Sequence, residues 1–214
     1  MSISSKLKNG KIRVTLALKA DGPIPEPVKA ALGELTIGPH GLLNLLETQL
    51  GIPSSQVSFT TRLIQYSGCI DEVDHPGAFY HASYEADPFS AARTLLQWRD
   101  QWYEAGWDGT FEPGVPAKLA DMAAIETLAK NAVEPNVGQR IQRIIALLPD
   151  NPIAIESITL RDPIEDFPHL WQAVMHATGA EIIVLPELTP QADENTDLGK
   201  LQRHLLSGSK DKIG

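Results

Sequence analysis

The order strand, helix, strand near the end of the chain constrains its fold more than any other feature. Ile153–Leu160 (IAIESITL) is a short β-branched run, and Glu181–Leu185 (EIIVL) is another, bounded by Pro186. Between them, Pro168–Thr178 carries Leu170, Trp171, Val174 and Met175 at helical spacing, and Gly179 ends the helix. Two strands separated by one helix lie side by side in the same direction, so the chain is expected to contain part of a parallel sheet. Lys11–Lys19 (KIRVTLALK) alternates apolar and polar residues and adds a further strand. With 214 residues, 43% of them hydrophobic, the chain is long enough for one large or two small domains of mixed α/β class.

Ile37–Gly51 (IGPHGLLNLLETQLG) begins in the manner of a phosphate-binding loop. Gly38 and Gly41 predict a tight turn, and Leu42–Leu50 predicts the helix after it, closed by Gly51 and Pro53. A nucleotide-binding P-loop places lysine and serine or threonine directly after its last glycine. Leu42 and Leu43 stand there instead, and neither reaches a phosphate or ligates magnesium. The loop therefore reads as a degenerate P-loop that binds no cofactor, or as an ordinary glycine turn.

The middle of the chain is read as follows. Asp21–Pro27 (DGPIPEP) is a proline-rich connector. Val57–Ser67 (VSFTTRLIQYS) reads as a second strand and Gly68–Gly77 as a polar loop. Asp87–Gly106 is the strongest helix, with Asp87 as cap and Pro88 in the first turn. Ala91, Ala92, Leu95, Leu96, Trp98, Trp102 and Tyr103 form its apolar face, while Arg99, Asp100 and Glu104 turn toward water. Trp98, Trp102 and Trp107 supply a large packing surface and are the candidate interface with a partner chain. Two further helices follow at Pro116–Lys130 and Gly138–Leu148. After Thr189 the chain turns polar, with a short helix at Leu198–Leu206. These readings divide the chain into a first part of an α/β core (1–86), a helical subdomain (87–148), a return to the core (149–190) and a polar connector (191–214).

Few residues are spaced for chemistry. Asp162, Glu165 and Asp166 follow a strand end, where magnesium-holding acids sit in α/β folds, and they define one alternative, a divergent nucleotide hydrolase. Their partner lysine is missing from the glycine loop. His75 and His81, near Asp71, Asp74, Glu85 and Asp87, lack tight metal-ligand spacing. The single cysteine, Cys69, excludes a disulfide framework and has no catalytic partner by spacing. The strings LRDP and PEL do not make up a PD-(D/E)XK nuclease centre. A net charge of -9 opposes autonomous nucleic-acid binding, so any DNA contact needs a local patch, and Arg140 and Arg143, three apart on one helix, are the candidates. No signal peptide and no membrane span are visible, which makes the cytoplasm the expected location.

The strings GPHGLLNLLETQLG, FYHASYEADPFSAARTLLQWRDQWYEAGWDG and IESITLRDPIEDFPHLWQAVMHATGAEI together resemble the N-terminal region of bacterial PD-(D/E)XK nuclease-family proteins of the AddB or RecC type, over residues 11–206. The resemblance implies a superfamily 1 helicase-like domain with degenerate ATP-binding residues, a parallel-sheet core and an inserted helical subdomain. It implies that the chain is a piece of a longer DNA end-processing protein, with the nuclease domain and its Mg2+ further downstream. DNA and a helicase subunit are the implied partners, and this piece would be a non-catalytic scaffold in DNA repair and recombination. The remaining alternative is a protein-interaction module.

Overall fold

The computed structural model describes residues 11–21, 33–53, 57–185 and 196–207. The proline-rich connector beyond Asp21 and the polar stretch 186–195 lie outside the described residues. The chain forms two compact units, Met1–Val184 and Leu185–Gly214.

The first unit is an α/β fold on a four-stranded parallel sheet. Strands β1 (Ile12–Leu16), β2 (Glu34–Ile37), β3 (Ile155–Leu160) and β4 (Glu181–Val184) lie in the order β2-β1-β3-β4. The register aligns Val14 with Leu35 and Ile158, and Leu16 with Ile37 and Leu160. These rows are the apolar face. Helices α1 (Pro39–Gln49), α6 (Val137–Leu147) and α7 (His169–Ala177) bury its β1 and β3 positions with Leu42, Leu43, Leu46, Ile141, Ile144 and Val174, while Leu35 on the edge strand stays exposed. The alternate rows hold Arg13, Thr15, Thr36, Ser157 and Thr159, and an Arg13–Glu34 ion pair joins β1 to β2. Parallel strands usually read as continuous apolar runs because both faces are covered. Here the alternation along KIRVTLALK and IESITL follows from one apolar and one polar face.

Helices α2 (Phe59–Val73), α3 (His81–Ala86), α4 (Pro88–Glu104) and α5 (Ala117–Ala132) form a second hydrophobic cluster around Leu63, Tyr66, Ile70, Leu95, Leu96, Met122 and Ile125. The strand expected at 57–67, and most of the loop expected at 68–77, are in fact α2. Its buried positions, 62, 63, 66, 69 and 70, recur at helical period. Phe59 and Ile64, which made the segment look β-like, are exposed, and the Ser58 hydroxyl caps the helix by accepting the Thr61 N–H at 3.1 Å. The helical stretch between α1 and β3 thus reaches back to Phe59. Strand β2 and helix α3 had no counterpart in the sequence reading.

The remaining expectations match to within a few residues: α4, α5, α6, β3, α7 and β4 lie where periodicity put them. In the second unit α8 (Asp197–Ser207) follows Thr196, whose hydroxyl accepts the Gly199 N–H. Among the described residues no helix is long and apolar enough to cross a membrane.

Candidate functional site

In open α/β sheets ligands bind beyond the carboxyl ends of the strands, where the chain order reverses. In this sheet that place is between β1 and β3. One carboxylate closes it, and a second holds the helix start after the edge strand β2. Asp162, just after β3, accepts the Leu18 N–H at 2.8 Å and so ties the segment after β1 to the segment after β3. Asp21 reaches the start of α1, where its two oxygens accept the His40 N–H at 2.7 Å and the Gly41 N–H at 3.0 Å.

The glycine segment is shaped around Asp21. Gly38 is the residue before α1, and Pro39 opens the helix, three residues earlier than the turn-then-helix reading placed it. A Cβ on Gly38 would overlap the Asp21 carboxyl group and lie 2.5 Å from the Asp21 nitrogen. A Cβ on Gly41 would lie 2.8 Å from Cβ of Ile37. Leu42 and Leu43 are fully buried in the sheet core. The free N–H groups of a helix start attract anions. Here the chain supplies its own, so the N–H groups that a phosphate would use are taken by the Asp21 carboxylate. The loop also follows β2, an edge strand.

Arg140 and Arg143 part company. Arg140 forms a two-pronged ion pair with Glu47 of α1, at 2.7 Å on both contacts, and adds a 3.1 Å hydrogen bond to the Asn44 carbonyl oxygen of the side chain. Glu47 is only 2% exposed. This pair clamps α6 to α1. Arg143 is exposed and lines a cleft of about 540 Å³ with Ile52, Pro53, Glu134 and Gln139.

The tryptophans also separate. Trp102 packs edge-on against Trp107 at 5.6 Å and Phe111 at 6.0 Å. Trp107 stacks at a tilt on Tyr103 and donates its indole N–H to the Thr110 carbonyl. These rings brace the turn after α4. Trp98 stands apart, 42% exposed, in a groove of about 570 Å³ between α3 and α4.

Arg99, expected toward water, is instead 1% exposed. It meets Glu126 of α5 through Nε at 2.6 Å and Nη2 at 3.0 Å, and Tyr103 donates its hydroxyl to the same carboxylate at 2.7 Å. Burial opposes the Arg99 charge, but Glu126 outweighs it and holds the guanidinium pKa above its ordinary value. Nearby, Arg62 pairs with Asp100 through two contacts of 2.7 and 2.6 Å and donates to the Glu134 carbonyl. No helix shows these pairs by itself, because the partners are 27 and 38 residues apart. Asp21 and Glu47 were missed for the same reason.

His81 sits 2.8 Å from Asp74, and His75 is 3.9 Å from Asp121. Among the described residues no group of three or more metal-ligating side chains converges. Cys69 is buried, and burial, with Glu72 next, raises its thiol pKa away from the reactive thiolate. No protein-family model, no curated protein and no solved structure matches this chain.

Proposed function

We propose that this chain is a non-catalytic, helicase-like scaffold domain of the AddB or RecC type, which positions DNA or partner domains in a longer end-processing helicase–nuclease of DNA repair and recombination. One observation carries the inert part of this reading: the start of α1, where a P-loop would hold phosphate, is filled by the carboxylate of Asp21. The missing lysine and hydroxyl at Leu42 and Leu43 agree with it. So does the use of Asp162 as a tie to Leu18, which speaks against the nucleotide-hydrolase alternative. The parallel sheet, with helices inserted between α1 and β3, supports the resemblance at the level of architecture. Magnesium, in this reading, serves a nuclease domain elsewhere in the longer protein.

The test is binding to blunt and forked duplex DNA across a salt series, with and without Mg-ATP. The expected result is salt-sensitive binding that ignores ATP and weakens in Arg143→Ala, since neutralising phosphates releases counterions. An Mg-ATP-dependent thermal shift would refute the inert reading. Absence of DNA binding at low salt would remove the DNA role and leave the positioning of partner domains.

A further inference from the structure

The α3–α4 groove has the composition of a protein-docking site. Phe79, Tyr80, Ser83, Leu95 and Trp98 line it, and Asp87 is the charged residue of its wall. Trp98 is half-exposed on α4. An exposed tryptophan on a rigid, well-packed helix is the kind of group that dominates binding energy at interfaces. Tyr80 forms the floor, edge-on to Phe79 at 5.4 Å and to Tyr84 at 6.4 Å.

Charge decides what fits. Asp87 stands at the α4 end, where hydrogen bonds from Ser90 hold its pKa below the ordinary carboxylate value. Asp121, outside the lining, accepts the Phe79 N–H at 2.9 Å. The burial that raises the Tyr80 hydroxyl pKa to about 12 is reinforced by Asp74 and Asp121. Among the described residues no lysine or arginine lines the groove. The nearby histidines, His75 and His81, already face Asp121 and Asp74. Phosphate-bearing ligands are repelled by such a rim.

We propose that the α3–α4 groove binds a segment of another protein, an amphipathic helix that seats a bulky apolar side chain against Trp98 and Leu95 and sets lysine or arginine beside Asp87, the acidic residue of its wall. This rests on the scaffold reading and names the chemistry of the partner. A volume of about 570 Å³ holds a few side chains, which matches a helix laid in a groove.

Two synthetic amphipathic peptides with identical leucine positions test it, one with lysine and one with glutamate on the polar face. The readout is a titration of the isotope-labelled protein by NMR. The lysine peptide is expected to bind in a salt-dependent manner, to shift the Trp98 indole and residues 79–98, and to lose about tenfold or more in affinity with Trp98→Ala. Thr94→Lys, an exposed groove position, places a cation there without touching the Asp87 cap and should weaken binding similarly. Circular dichroism of both variants checks that the fold is kept. Equal binding of the glutamate peptide would overturn the proposal. So would shifts that avoid the groove, equal occupancy by duplex DNA, or a dimer in sedimentation that Trp98→Ala abolishes. The DNA experiment reads Arg143, so either result stands without the other.

Discussion

At the residue scale, charge is placed by partners. Removing Arg140 leaves Glu47 buried without its cation, a situation that costs about 3–5 kcal/mol. Arg143→Ala, on an exposed position, should stay within about 0.5 kcal/mol. Urea unfolding of the two variants separates them, and equal stability would show that the α1–α6 clamp is not formed in solution. The tyrosines make a second expectation. Burial is the leading cause that raises the pKa of all four, Tyr66, Tyr80, Tyr84 and Tyr103, above the ordinary value of 10.0. The unfolded chain therefore releases these protons at lower pH than the folded one. Their contribution is fully present below pH 10 and is lost as pH rises through the folded values, of which that of Tyr80 is about 12. Phenolate absorbance should rise together with loss of helical circular dichroism. Ordinary titration with the fold intact would contradict this.

At the element scale, backbone approach sets the geometry. A Cβ on Gly138 would lie 2.5 Å from the Tyr103 carbonyl carbon and 2.6 Å from the Glu104 nitrogen. Helix α6 thus crosses the end of α4 at a distance only glycine permits, and the Asn136–Gln139 capping box fixes where α6 begins. Gly138→Ala meets backbone rather than a movable side chain and should cost about 1–3 kcal/mol in denaturant unfolding, the usual penalty of overpacking. At α1, Asp21→Ala frees two helix-start N–H groups and should cost about 1 kcal/mol, the magnitude of a lost cap. A wild-type Tm in that variant would mean that Asp21 does not hold the loop. The periodic elements were legible beforehand: α4 from its cap and apolar stripe, and α7 and β4 from the change of period across Gly179. Helix α2 was not, because Val57, Phe59, Thr60, Thr61 and Ile64 favour a strand by residue type, and burial against α4 and α5 overrides that local preference.

At the scale of the whole molecule, strands β1, β3 and β4 and the helices beside them follow from local patterning, but edge strand β2, helices α2 and α3, and the use of the sheet end do not. Hydrophobic period and capping are near-neighbour properties, so strands β1, β3 and β4, the helices around them and the α/β class can be read from the order of residues. The order of residues likewise shows leucines at 42 and 43, where a P-loop carries lysine and a hydroxyl. That Asp21 fills the α1 start across about twenty residues depends on how the chain folds back on itself. So do the attachment of Arg140 to Glu47, the burial of Arg99 on Glu126, and the separation of Trp98 from Trp102 and Trp107. A charged or aromatic side chain has no preferred address in one dimension. Its role is set by which desolvated partner packing brings within about 3 Å, and that is a property of the assembled fold alone.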